Sequence, residues 1–464
     1  MSEFKNNSPW IYQVNKQGYN LTSQVEGKDI ETDVAIIGGG IAGIATAFFT
    51  LKYTNKSVVL LEGYKIAHGA TGHNAGQITS YFERSLQSLK EEYGLEQTVA
   101  AQKAIDTAWL LLDEIYTDAQ LTIPFARFIG HSGLSSTSQI LHFLKENIVR
   151  KEGGTATEFI RIADHVDVGV PLDQYEGLYE RIPQEKILQM LETEDDSYIA
   201  SMSFQKGCMN SALFCYEAAS YMLRAYKDRF RIFEHSRVGK ILLRKDNAVL
   251  DVGTYEVCAK KVVLCTNGFK HLTIIGEDGL ESNAKFHHLV KGTVGYMSGY
   301  VENTSKPPTA ISYFIDPAHT NDDPYFYMTR RQFEYADEAP VTDSQSLICI
   351  GGPEGELADH EGYSTNDEYP EIAAEGIQKF VEKTLKKGEK VSYGFTWHGL
   401  MGYTRSRMRL IGPDPKHQPL MYNLGCNGVG ILPSLHGGRK IASVLAGQIQ
   451  EKSIFDVPSD IPKS

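Results

Sequence analysis

Hydrophobic and polar positions change period several times along the chain, and each period predicts a different element. Val34-Ala35-Ile36-Ile37 is a short, unbroken apolar run rich in β-branched residues, as a buried parallel strand should be. A helical segment is expected from about Ile41 to Tyr53, with Ala and Phe on its buried face. Ser57-Val58-Val59-Leu60-Leu61 is a second β-rich run and ends at the acidic Glu62. Further along, residues 98–115 read as a long amphipathic helix and 140–149 as another. Residues 291–297, 325–329 and 346–350 alternate like strands. The polar stretch 355–368 reads as a loop, 371–384 as a surface helix, and the last apolar positions enter a helix through Ile441 and Leu445.

Composition narrows the class without naming it. A chain of 464 residues can bury a large core and holds about two to four structural units. It is 42% hydrophobic and 22% charged, with a formal charge of -12, which disfavours a polyanion as standing partner, so nucleic acid is not expected. The first thirty residues are polar and carry no signal-peptide core. No run reaches the roughly 18 apolar residues of a membrane span. The six cysteines (Cys208, Cys215, Cys258, Cys265, Cys349, Cys426) show no CxxC and no paired spacing, so reduced thiols in a cytoplasmic protein are expected, with no metal site.

The chemistry begins where the first strand ends. Gly38-Gly39-Gly40-Ile41-Ala42-Gly43 contains G-x-G-x-x-G at Gly38, Gly40 and Gly43. Gly38 allows the tight turn out of the strand, Gly40 lets a pyrophosphate approach the backbone, and Gly43 lets helix and strand pack closely. The helix N-terminus offers N–H groups and a positive dipole end to the phosphates. Glu62, nineteen residues after Gly43, is placed to accept from ribose hydroxyls. A lone glycine motif is weak, but strand, turn, helix, strand and acid fall here in order.

The motif alone does not choose between dinucleotides. After Glu62 and Gly63 comes His68-Gly69-Ala70-Thr71-Gly72-His73-Asn74-Ala75-Gly76-Gln77, a loop of small and polar residues where a nicotinamide enzyme would usually continue into a helix. Such a backbone can line an extended cofactor, with Thr71 and Asn74 bonding along a ribityl-diphosphate chain. In this segment the chain resembles the D-amino-acid oxidase-like superfamily of flavoenzymes, which includes glycine and sarcosine oxidases and γ-glutamylputrescine oxidase. Those families carry a similar glycine-rich segment after the ribose-binding acid, commonly with Arg where His73 stands.

Three further segments fit the resemblance. Glu234-His235-Ser236-Arg237-Val238 precedes the run Lys261-Val262-Val263-Leu264-Cys265-Thr266-Asn267-Gly268, and relatives contact adenine at the valine. Trp397-His398-Gly399-Leu400-Met401-Gly402-Tyr403-Thr404 follows much later. Asn423-Leu424-Gly425-Cys426-Asn427-Gly428-Val429-Gly430-Ile431-Leu432-Pro433 comes last; in relatives this turn meets the flavin, with a helix N-terminus behind it that suits an anionic reduced ring. The resemblance implies an α/β protein with a discontinuous Rossmann-like FAD-binding domain (30–95, 195–270 and 395–450). It also implies a substrate domain (96–194 and 271–394) with a mixed or antiparallel sheet and flanking helices, after an N-terminal extension (1–29).

The resemblance also implies a reaction: oxidation of a C–N bond in a small amine or amino acid, by hydride transfer to flavin N5 from the uncharged amine. The resulting imine hydrolyses, and oxygen or another electron acceptor reoxidises the flavin. No acid-base residue is obligatory, because the cofactor carries the chemistry. Substrate candidates are Tyr296, Tyr327, Arg330, Arg331, His398 and Tyr403, with either Arg suited to a substrate carboxylate. The acidic turn at 335–338 beyond the Arg pair would equally suit a hairpin end. In dimethylglycine dehydrogenase-like relatives a histidine is bonded to the flavin 8α carbon; His73 matches that position, although Gly72 and Asn74 depart from the surrounding pattern. Cys426 is a second candidate for attachment. Three other readings stay open: a 2-hydroxy-acid or glycerol-3-phosphate-type dehydrogenase, a tRNA-modifying flavin oxidase, and a non-catalytic flavin-binding protein.

Overall fold

A computed structural model describes residues 6–19, 21, 29–269, 272–281, 290–315, 325–333, 345–358 and 362–459. Among these, nine strands form one sheet and ten form another. The apolar run at Val34 lies in strand Ile30–Ile37, which is buried along its second half and pairs in parallel with Val58–Leu61 on one side and Glu256–Leu264 on the other. Parallel strands Phe230–Phe233 and Leu420–Leu424 extend the sheet beyond these two. Antiparallel strands Lys240–Leu243 and Ala248–Asp251 complete one flank of it.

Helix Ile41–Tyr53 departs from a one-faced pattern, since every residue from 41 to 51 is buried. The reason is its position. It packs against helices Ile431–Leu445 and Ser211–Ala225 as well as the sheet, so no side faces water until its last turn. The expected helix at 98–115 runs as Leu95–Ala119, and that at 140–149 as Thr137–Glu152, whose N-cap Ser136 accepts from the Gln139 N–H. The helix expected at 371–384 runs as Glu371–Phe380 and finishes in a wider π turn, Val381–Leu385.

The second sheet runs Phe395–Tyr403, Lys291–Asn303, Gln345–Glu356, Tyr325–Gln332, Thr309–Phe314, Phe125–Leu134, Ala200–Met209, Phe159–Ala163, Tyr179–Ile182. Its pairs are antiparallel except between Thr309–Phe314 and Phe125–Leu134 and at the last edge. The sheets interleave in sequence. Ala200–Met209 and Phe395–Tyr403, which flank cofactor segments along the chain, belong to this second sheet, and Thr273–Ile275 belongs to the first. No helix among the described residues is long and apolar enough to cross a membrane.

Candidate active site

A cavity of about 1450 Å³ opens where the two sheets meet. Its nucleotide end is built from backbone. Gly38 turns the chain at φ 107°, and a Cβ there would lie 2.6 Å from the Cys265 carbonyl oxygen. At Gly43 a Cβ would come within 1.9 Å of the Gly38 oxygen, so the helix can start this close to the strand only with glycine. Gly38, Gly40, Ile41 and Ala42 line the cavity at the helix N-terminus. Glu62 sits at the tip of the second strand; its two oxygens accept from the Gly39 and Tyr64 N–H groups at 2.7 and 2.8 Å. Burial pushes its carboxyl above the usual range, against the pull of those donors. The Ser236 N–H bonds to the Glu62 carbonyl at 2.8 Å, which brings Val238 to the same end.

The small-residue loop is self-supporting. Thr71 Oγ1 accepts from the Ile41 N–H at 3.0 Å, and Asn74 bonds the Thr71 carbonyl, Ser211 and the Gly76 N–H. Both side chains line the cavity while their polar atoms shape the loop itself. Around the loop lies the N-terminal segment, expected only as an extension. Ser8 caps helix Pro9–Gln17 and donates to the Gly72 carbonyl. The indole N–H groups of Trp10 and Trp397 both donate to the Asn74 carbonyl, at 2.6 and 3.2 Å. Asn6 and Asn7 bond the strand Phe395–Tyr403 at Thr396 and His398. Inside this bracket His73 lines the cavity and donates through Nδ1–H to the Gly69 carbonyl at 3.0 Å. Burial holds its ring down at about 4, neutral near pH 7.

The far end is closed by the turn 425–430. Asn427, at φ 46°, holds it by accepting from the Thr404 N–H at 2.8 Å, while Asn267 accepts from the Cys426 N–H and donates to the Leu400 carbonyl. Gly428, Val429, Gly430 and Ile431 line the cavity, and helix Ile431–Leu445 begins there with no side-chain cap on its N–H groups. Thr266, beside Asn267, lines the cavity with its buried hydroxyl lacking a partner. The glycine-only approach, the uncapped start of helix Ile431–Leu445 and the orphaned Thr266 hydroxyl fit an extended dinucleotide lying between the two helix N-termini.

Of the residues singled out from sequence, Gly63, Ala75, Gln77 and Gly399 also line the cavity. Gly39, Gly43, Gly72, Gly76, Gly268, Asn427 and Leu432 stand behind the lining as its support. Tyr327 and Tyr403 reach the cavity, whereas Tyr296, Arg330, Arg331 and His398 do not line it. Arg330 turns to the opposite sheet face and forks onto Glu192, with both N–O distances 2.7 Å. Arg331 lies beneath the Trp10 ring, 5.1 Å from its centroid. His398 donates from Nε2 to the Asp367 carbonyl, and its Nδ1 lies 3.0 Å from the Tyr363 hydroxyl, so both ring nitrogens are committed. The acidic turn 335–338 lies outside the described residues.

Six other residues reach the far end, and sequence reading missed them: Tyr81, Glu83, Tyr325, Glu354, Arg405 and Arg407. The signal was positional only. Tyr81 and Glu83 follow directly on the cofactor loop, and Tyr325 lies two residues before Tyr327 on an alternating strand.

A family model described as FAD dependent oxidoreductase matches residues 33–444. The putative Rieske 2Fe-2S iron-sulfur protein YhfW of Bacillus subtilis (strain 168) is 34% identical over 97 residues, 20% of this chain and 19% of its own length. Gamma-glutamylputrescine oxidoreductase of Escherichia coli (strain K12) is 33% identical over 69 residues, covering 15% of this chain and 16% of that protein. The matched segments thus span less than a fifth of either relative. Glycine oxidase from Geobacillus kaustophilus superposes with a TM-score of 0.64 at 16% identity, over 93% of this chain and 100% of that one, which shows the shared fold. The chain belongs to the FAD dependent oxidoreductase (DAO) family, and the cofactor its cavity is shaped for is FAD.

Proposed function

We propose that the chain oxidises a C–N bond of a small amine or amino acid, giving an imine that water hydrolyses. One observation carries the reading. The cavity continues past the turn 425–430 into a wall of Tyr81, Glu83, Tyr325, Tyr327, Glu354 and Tyr403, where negative charge meets aromatic rings. Such a wall favours a cationic nitrogen at binding over a neutral alcohol. Neither Arg330 nor Arg331 reaches it, but Arg405 and Arg407 line the same cavity and can meet a carboxylate, so the reading covers a small amine or amino acid.

Bound FAD supplies the two-electron acceptor for the substrate hydride. The chain's own residues do the rest. The uncapped start of helix Ile431–Leu445 favours negative charge beside the turn. Glu354 is pushed up to about 7 by burial and by the charge of Glu83, outweighing the nearby Arg407, so near neutral pH it can hold the proton that the substrate ammonium gives up. His73, neutral and with Nδ1–H donated to Gly69, leaves Nε2 as a lone pair, the form needed for a bond to the flavin 8α carbon.

The experiment is anaerobic mixing of the FAD-loaded protein with primary amines, amino acids and 2-hydroxy acids, followed by acid precipitation. Bleaching of the flavin band by amines supports C–N oxidation; bleaching by hydroxy acids alone overturns it. Yellow colour that follows the pellet, and leaves it in His73→Ala, supports attachment at His73.

A further inference from the structure

Arg409 is a buried cation to which neither the sequence nor the C–N reading gives a task. It is 5% exposed, yet it lines the cavity beside Cys265, Cys426, Gly430 and Ser434. Its hydrogen bonds all go to neutral oxygens. Nε–H donates to the Asn423 side chain at 2.6 Å, and the two terminal nitrogens donate to the Asn423 and Gly425 carbonyls at 2.9 and 3.2 Å. The guanidinium fork has further N–H groups to give. Among the described residues no carboxylate pairs with it, and the groups that favour its charge are the thiols of Cys265 and Cys426. A cation taken this far out of water ordinarily has an acid beside it, because an unpaired buried charge is costly.

Its neighbours add positive charge rather than remove it. Asn423, which holds the fork, donates through Nδ2 to the Ala42 carbonyl, the Thr46 hydroxyl and the Ser434 carbonyl at 3.4, 3.1 and 3.1 Å. Ala42 and Ser434 lie in the first turns of helices Ile41–Tyr53 and Ile431–Leu445, so Asn423 ties Arg409 to the positive starts of both. The glycine turn is close as well: Cys265, whose ionisation Arg409 favours, sets its carbonyl oxygen against Gly38. On the other side His436 is held neutral, at about 4, by burial and by the charges of Lys440 and Arg409.

FAD brings the opposite charge. Its oxidised ring is neutral, so the diphosphate is what makes the oxidised cofactor an anion. We propose that Arg409 is the fixed counter-charge of the FAD diphosphate, which it takes with the N–H groups that Asn423 and Gly425 leave over. The carbonyls that hold the fork set its direction before the cofactor arrives, so little side-chain freedom is lost on binding. The inference rests on the family's cofactor and not on the substrate, so it stands or falls apart from the C–N reading.

The test uses the full chain carrying His73→Ala, so that no covalent bond masks the affinity. The protein is stripped of FAD and titrated with oxidised FAD, read by flavin fluorescence, with thermal melting as the check on folding. On this background Arg409→Met and Arg409→Gln are expected to weaken FAD about 100-fold, because both lack the charge, whereas Arg409→Lys stays within about tenfold. A brace for the turn at Gly425 would give another order, since an ammonium cannot replace the fork between Asn423 and Gly425. Equal losses in Arg409→Lys and Arg409→Gln therefore overturn the proposal, and this pair decides even where Arg409→Met does not fold. Binding of oxidised FAD by Arg409→Gln within about threefold of the background overturns it too. If in that case the flavin midpoint potential falls, the charge serves the reduced ring and not the diphosphate.

Discussion

The two ends of the cavity are built by different rules. At the nucleotide end the chain uses backbone: glycines without Cβ atoms, helix N–H groups, and one carboxylate braced by main-chain donors. Those parts come from adjacent elements, so their spacing is nearly fixed by geometry. At the substrate end it uses side chains brought together by register. Tyr325 and Tyr327 come from one strand, Glu354 from its neighbour, Tyr403 from the edge of the sheet, and Glu83 from the loop after the cofactor segment. Backbone rules leave a motif in the sequence. Side-chain convergence across a ten-stranded sheet leaves almost none.

The comparison can be broken first at the backbone end. Gly43→Ala forces a Cβ into the Gly38 carbonyl and is expected to cost about 3 kcal/mol or more, with loss of FAD, read by thermal melting and by flavin absorbance. Retention of FAD with an unchanged melting point would show that the strand-to-helix start yields more easily than its geometry implies. The next effect tests the arginines. Arg330→Met leaves Glu192 with the exposed Lys306 in place of its buried fork partner and is expected to cost about 2 kcal/mol, largely recovered when Glu192→Gln is added. Substrate KM should stay within about twofold in the double variant, because neither side chain lines the cavity. A large rise in KM would put Arg330 back at the substrate.

The smallest effect is one of pH. His73 has its folded-state pKa depressed to about 4 from an ordinary 6.5, so its neutral form stabilises the fold. That contribution is fully present above about pH 6.5 and is lost as pH falls toward 4. The melting temperature should therefore fall over this window less steeply in His73→Asn than in the native chain. Parallel curves would mean that the loop reorganises when the ring is protonated.

How far the sequence could be read follows the same division. The strand at Val34, the glycine turn, Glu62, the loop to Gln77 and the turn at Gly428 were all legible, because each obeys a local rule of spacing or turn chemistry. Helix Ile41–Tyr53 was legible in extent but not in burial; neighbours from residues 211–225 and 431–445 cover it, and local periodicity carries no trace of them. Arg330 and Arg331 were plausible carboxylate partners as residue types. Strand alternation turns Arg330 to the other face, onto Glu192, while Arg331 shares the face of Tyr327 but is covered by Trp10; both partners lie far away in sequence. The polar first thirty residues read as an extension, yet residues 6–17 pack on the cofactor loop. The capping pair Ser8-Pro9 was the local sign of that helix.

The bracket formed by Trp10, Asn74 and Trp397 also sets an order of events during synthesis. Trp10 leaves the ribosome well before Trp397, and at roughly 5–20 residues per second the interval is on the order of 20–80 s. Throughout that time the nascent chain holds a nucleotide motif whose loop is pinned on one side only. The cofactor loop thus gains its second indole donor only after Trp397 has been made, and firm closure around FAD waits for that residue.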